Sequence, residues 1–235
     1  MPDGLHWDLW LGPAKPRPFH PVYAPLMFHY WWDFGSGTLG NFGCHTLDTA
    51  VWALELEHPT LVEASSSPLS QETTPEAAMY HYLFPGRGDQ PPIDLFWYDG
   101  GLRPPRPACL EPDRDLPSAG GSLIVGDAGA VLSELWSGSP RILPQTRMSQ
   151  YEPPPTSLPR SRGHHRDWID ACKGGPPASA NFDYAARLTE IVLLGAVALR
   201  TGQTLHWDGP NMTAPGSPEA EPHIRGFFRE GWELV

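Results

Sequence analysis

The sequence predicts an α+β protein: an open, mostly antiparallel β-sheet with helices packed on one face. Three observations carry that expectation. Apolar and aromatic runs of strand length follow one another through the middle of the chain, separated by Pro and Gly. Stretches with helical periodicity precede and follow them. No strand–helix alternation is present, and neither G-x-G-x-x-G after a strand nor G-x-x-x-x-G-K occurs, so this chain has no sequence basis for a dinucleotide fold.

Residues 1–36 read as an irregular lead-in rich in proline and rings, among them Trp7, Trp10, Phe19, Tyr23, Trp31 and Trp32. Ring surface in that quantity is unfavourable in water, so the segment is expected to pack on this domain or a neighbouring one. A helix is predicted over 38–56. On it Asn41, His45, Asp48 and Trp52 follow at i, i+4, i+7 and i+11 and share one face. Leu39, Phe42, Leu47, Val51 and Leu54 form an apolar stripe suited to a sheet. Gly37, Gly40 and Gly43 each cost roughly 1 kcal/mol in a helix relative to Ala. Their presence points to a ligand or second backbone coming close.

After Pro59 the chain turns strand-like: 60–65, 77–84 and 93–98, then a hairpin of 123–125 and 130–132 around Gly126-Asp127-Ala128-Gly129, and a short run at 141–143. Residues 99–120 and 144–163 are Pro-rich loops. His164–Lys173 reads as a helix stopped by Gly174, with His164 and Trp168 one turn apart. Residues 183–201 form the longest helical pattern, apolar nearly all round between Ile191 and Leu199 and ended by Gly202. Residues 204–207 return as a strand, and 219–232 are expected to close the chain as a helix with Arg225 and Arg229 one turn apart. The expected organisation is a lead-in over 1–36 and a single α+β domain over 37–235.

Composition bounds the function. The net charge of −11, without a Lys/Arg stripe, argues against nucleic acid or an anionic membrane surface as partner. No apolar run reaches the length of a membrane span. Three cysteines, Cys44, Cys109 and Cys172, give neither a disulfide framework nor a sulfur-based zinc site. Cys44 and His45 do not make a nucleophile–base pair, because helix neighbours point about 100° apart. The first residues contain no leader pattern, and the compartment stays open, with a soluble cytoplasmic setting as the default.

Several segments resemble the second domain of the Gfo/Idh/MocA oxidoreductases, the glucose-fructose oxidoreductase and inositol dehydrogenase group. They are Trp7–Ala14, Trp31–Gly37, Gly43–Asp48, Trp168–Gly174, Asn181–Ala185 and Leu193–Gly195, in that order. The resemblance implies an N-terminal Rossmann domain binding NAD or NADP, then this domain supplying substrate contacts and a surface for homo-oligomers. It implies hydride transfer at a CH–OH group of a sugar or cyclitol. A Lys of the first domain, a His and often an Asp four residues before it handle the proton. His45 stands at the histidine position, and Asn41 stands where the Asp would be. An amide can hold a hydroxyl but takes no proton. The Rossmann domain is expected in cis or in trans, because Met1 falls where the inter-domain segment of the family ends.

The candidate catalytic residues are therefore His45 and Asn41. Imidazoles as a class titrate near neutrality and suit proton exchange with a carbinol. Asp48 either orients that ring or binds a hydroxyl, and a plain helix-face ion pair is the competing role. Trp31, Trp32 and Trp52 either stack on a sugar ring or fill an interface. His164 and Trp168 are candidates for the substrate cleft. Two other readings remain: a non-catalytic oligomerisation or sugar-binding module, and a metal-dependent hydrolase or isomerase using His45, Asp48 and His164 with His165.

Overall fold

The computed structural model describes residues 1–233. Its elements are α1 (Trp7–Leu11), α2 (Gly37–Thr46), α3 (Asp48–Ala53), β1 (Leu61–Ser66), β2 (Ala78–Phe84) and β3 (Ile93–Tyr98). They continue with β4 (Gly121–Gly126), β5 (Gly129–Glu134), β6 (Arg141–Leu143), α4 (Gln145–Met148), α5 (His164–Cys172), α6 (Phe182–Thr201), β7 (Leu205–His206) and α7 (Glu221–Arg225). The α+β expectation holds: two open sheets form, ordered β3-β2-β1-β7 and β4-β5-β6, and their pairings are antiparallel. The chain divides into two compact units, Met1–Pro105 with Glu190–Val235, and Arg106–Thr189.

In the first unit the central strand β2 alternates strictly. Ala78, Tyr80, Tyr82 and Phe84 are buried, while Met79, His81 and Leu83 face the other way. Register carries the alternation across the sheet: Tyr82 lies between Val62 and Leu95, and Tyr80 beside Trp97. These five and Leu205 of β7 make the inner face. The α6 stretch from Ile191 to Leu199 belongs to the same core, with Ile191 and Ala198 fully buried, as its apolar pattern demands.

The helices approach the sheet closely through glycine. A Cβ on Gly195 would lie 2.3 Å from the Tyr82 hydroxyl, 2.5 Å from Leu39 Cδ2 and 3.0 Å from Tyr80 Cδ1. On α2, a Cβ on Gly43 would lie 2.7 Å from Val192 Cγ2. Side chains of the protein's own core, rather than a ligand, therefore account for the glycine at 43. Gly37 is likewise pressed against Thr74.

Several expectations are corrected in detail. The helix predicted over 38–56 is two helices, α2 and α3, joined at Leu47 (φ −82°, ψ −18°). Asn41 and His45 thus ride on one helix and Asp48 and Trp52 on the next. The lead-in is not wholly irregular: α1 and a 3₁₀ turn over Met27–Tyr30 form within it. Closing the chain, α7 ends at Gly226 (φ 71°) instead of continuing to 232. Arg229 then reaches back to Asp8 Oδ1 and the Gly12 carbonyl, both at 2.6 Å. Tertiary ion pairing there prevails over the i, i+4 pattern.

The second unit has its own small core of Leu110, Ala130, Leu132 and Leu143, with Leu116 and Leu123 against it.

Replacing Gly195 by Ala forces core atoms apart at a site with no room. We expect a loss of roughly 2 kcal/mol or more of unfolding free energy, beyond any helix-propensity gain. Gly43→Ala should cost less, since the Val192 methyls can rotate away. Chemical denaturation of the two variants measures the order.

Candidate functional site

The position of the histidine follows from what its helix buries. Leu39, Gly43 and Thr46 of α2 point into the core. Residues two apart on a helix lie about 200° apart, so Asn41 and His45 must point outward. Both are exposed. They sit one turn apart, presenting an amide and an imidazole side by side near the C-terminal end of α2. Asp48 is half-buried at the start of α3, and Trp52 on α3 is 57% exposed.

The other expected residues are placed differently. Trp31 lies within the aromatic cluster of the lead-in. There Tyr23 packs edge-on to it at 4.8 Å and also contacts Phe34 at 5.3 Å, while Trp7 and Trp10 stack at 4.7 Å. The Arg17 guanidinium lies over Tyr23, Trp31 and Phe34 and pairs with Glu72 and Asp33. Trp32 is covered by the Arg200 guanidinium at 5.2 Å, and its indole N–H donates to the Ser70 carbonyl at 3.2 Å. Both indoles thus have packing roles. His164 and Trp168 are exposed on α5, in the second unit, where the His164 ring contacts His165 at 4.0 Å. Asp99 caps the end of β3, accepting from the Ala78 N–H and the Trp97 indole, and burial raises its pKa.

Two polar networks carry no readable signal in the sequence. Glu190, largely buried on α6, accepts from the Trp207 indole at 2.7 Å and pairs with His58 Nδ1 at 2.6 Å. It ties α6 to the chain on either side of the sheet edge. The second lies on the outer face of the large sheet. His81 of β2 meets Glu63 of β1 through Nδ1 at 2.9 Å and Asp94 of β3 through Nε2 at 2.7 Å. Its ring stacks on Phe96 at 4.5 Å. A neutral imidazole has one N–H, so two carboxylates together favour the imidazolium. Burial alone would lower the pKa of His81, but Glu63 and Asp94 outweigh it and raise the pKa. Glu63, held by His81 and by the Thr204 hydroxyl, is lowered.

Among the described residues no group of three or more His, Cys, Asp or Glu side chains is arranged to hold a metal ion. The metal-dependent reading therefore has no ligand set. Among the described residues the strand pairings are antiparallel, unlike the parallel strand, glycine turn and helix of a dinucleotide fold. No described helix is long and apolar enough to cross a membrane.

Residues 1–81, which contain both the aromatic lead-in and the Asn41–His45 turn, match the model of the Gfo/Idh/MocA oxidoreductase family, C-terminal alpha/beta domain. That stretch carries the Gfo/Idh/MocA pattern. Among solved structures the fold resembles an NAD-binding protein from Listeria innocua, at 14% identity and a TM-score of 0.50, over 77% of this chain and 51% of that one. A Thermotoga maritima protein with a provisional oxidoreductase assignment shares 18% identity at a TM-score of 0.42, over 82% and 51%. At such identities the first likeness speaks for the fold alone, and the second carries no argument. The chain spans about half the length of these solved structures. No curated protein matches the sequence.

The His81 pair makes stability depend on pH with a definite sign. A raised folded-state pKa contributes stability that is fully present below the unfolded value of about 6.5 and lost as pH rises through the folded value. The lowered Glu63 contributes above its unfolded value of about 4.5 and loses that contribution as pH falls. We expect the stability difference between the natural chain and His81→Gln to be greatest between about pH 4.5 and 6.5, the interval between those unfolded values, and to shrink on either side of it. Urea midpoints measured across pH check this.

Proposed function

We propose that this chain is the substrate-binding and catalytic C-terminal domain of an NAD(P)-dependent sugar or cyclitol oxidoreductase, with His45 as its proton-handling residue. The observation that supports the reading best is the exposed Asn41–His45 turn, lying inside the stretch that matches the family. In this role His45 accepts the hydroxyl proton of a CH–OH group as that carbon is oxidised, and returns it in reduction. Asn41 holds the same or a neighbouring hydroxyl by hydrogen bonding and carries no charge. Asp48, Trp52, Trp31, Trp32, His164 and Trp168 remain proposed substrate contacts. Of these, Trp52 is the best placed to stack, because most of its indole is uncovered.

Under the proposed function the dinucleotide is held by another polypeptide segment, a Rossmann domain in cis or in trans. On this reading the chain alone is inactive. The outer face of the large sheet, which carries exposed Phe96 and the His81 cluster, is the proposed surface for a homo-oligomer.

One observation favours a second reading. Neither of the two clefts formed by Ile124–Tyr151 and by Arg17–Trp31 is lined by His45. A non-catalytic sugar-binding or assembly module would have that property.

Titration of the full chain with myo-inositol and with aldoses, followed by tryptophan fluorescence, distinguishes the two readings. We expect a saturable change that weakens about tenfold or more in His45→Ala, from loss of a hydrogen bond in the site. A sugar response untouched by His45→Ala would leave only a binding module, and no response would leave an assembly module. Calorimetry with NADH should show no useful binding to the chain alone, and light scattering should show dimers or tetramers.

A further inference from the structure

The small sheet of the second unit has a face that its own core does not use. Ala130, Leu132 and Leu143 point into that core. The register places Ile124 opposite Val131 and Val131 opposite Ile142, so the alternate positions form one apolar row across all three strands. Strands lie about 4.8 Å apart, which makes the row roughly 10 Å long. It floors a cleft of about 530 Å³, walled by the hairpin turn, which includes the carboxylate of Asp127, and by Arg147, Gln150 and Tyr151. That volume is within the range of small-molecule sites. Val131 is 38% exposed and Tyr151 47%, so the apolar floor and wall stand open.

Arg147 supplies a cation beside the row. Its guanidinium lies over the hairpin, where a Cβ on Gly129 would fall 2.8 Å from Nη1 and 3.2 Å from the Leu143 carbonyl. Glycine at 129 thus makes the seat for the cation. The neighbouring Arg141 pairs with Glu111, at 3.7 Å. By contrast, no ion pair is formed by Arg147 among the described residues, although the chain carries 27 acidic residues against 16 basic ones. This cation stands beside the middle of the apolar row, over Gly129 of the central strand, so it complements a ligand with an anionic head and an apolar body, although Asp127 also lines the cleft.

We propose that this cleft binds a monocarboxylate with a linear apolar body, of the size of a medium-chain acyl chain. The body lies along Ile124, Val131 and Ile142, and the carboxylate takes the guanidinium of Arg147 with the Gln150 amide beside it. The site lies wholly within 106–189 and outside the stretch that matches the family, so it is independent of the function proposed above.

Calorimetric titration of the full chain with sodium octanoate, and with octylammonium chloride as the same body bearing the opposite charge, tests the assignment. Non-specific adsorption to a chain of net charge −11 would favour octylammonium. We expect one saturable octanoate site and binding of octylammonium at least about tenfold weaker. Arg147→Gln should lower octanoate affinity about tenfold and erase the charge preference, while Val131→Asp should abolish binding. Thermal unfolding verifies that both variants fold, and amide shifts at Ile124, Val131 and Ile142 locate the ligand. No saturation in the millimolar range, equal binding of the two amphiphiles, an unchanged Arg147→Gln affinity or shifts elsewhere would each overturn the proposal. So would a concentration-dependent dimer that hides the same amides and that octanoate does not dissociate, which would assign the face to a second copy.

Discussion

The architecture of the first unit depends on one close approach, the meeting of α6, α2 and β2 at Gly195. A side chain at that position would overlap the Tyr82 hydroxyl, Leu39 and Tyr80 together. Because glycine stands there, α6 settles directly on the inner face of the sheet and α2 packs against both. Rotation of α2 about its axis is then fixed, since Leu39 and Gly43 must face inward. Asn41 and His45, about 200° away, are left facing solvent. The exposure of the imidazole is thus a consequence of core packing, and a small residue on a different helix determines it.

Elements with a complete pattern within their own span were legible in the sequence. The alternation of β2 reads without ambiguity because one face of it is buried along its whole length. The stretch of α6 from Ile191 to Leu199 reads as buried because it is apolar nearly all round. The structure leaves only Leu193 of it exposed, while the first half of the helix, from Phe182, is largely exposed or half-buried. What was not legible depends on partners distant in sequence. The junction at Leu47 interrupts a continuous apolar stripe, and nothing in the stripe marks it. Arg229 follows Arg225 at helical spacing, yet its partners are Asp8 and Gly12, over two hundred residues earlier. The His81 cluster joins residues 63, 81 and 94, which become neighbours only through strand register.

Candidate residues divide along the same line. Asn41 and His45 read as a pair in the sequence because one turn of one helix holds both, and the structure leaves both exposed. Trp31 and Trp32 are candidates by chemistry alone, and an indole that binds a ring is chemically the same as one that packs. Arg17 and Arg200 give them packing roles in this fold, each cation lying about 5–6 Å from a ring centre. Arg147, without an ion pair among the described residues, carries no signal in the sequence for the opposite reason. In sequence it is one of several scattered arginines, and only the fold seats it over Gly129.

An exposed imidazole on an open helix face is half of a catalytic arrangement. In water it competes with solvent for every hydroxyl, and electrostatic stabilisation of a developing charge is weak at high dielectric. Acid–base work at a carbinol needs a wall on the other side that excludes water and fixes the substrate within hydrogen-bonding reach. The described clefts do not provide that wall beside His45. On the function proposed, it comes with the segment that carries the dinucleotide, so substrate binding and cofactor approach are completed by the same docking event. Affinity for a sugar in the isolated chain should then be weak and should rest on Asn41, His45 and the uncovered face of Trp52. The energy that orients the substrate is supplied when that second surface closes over it.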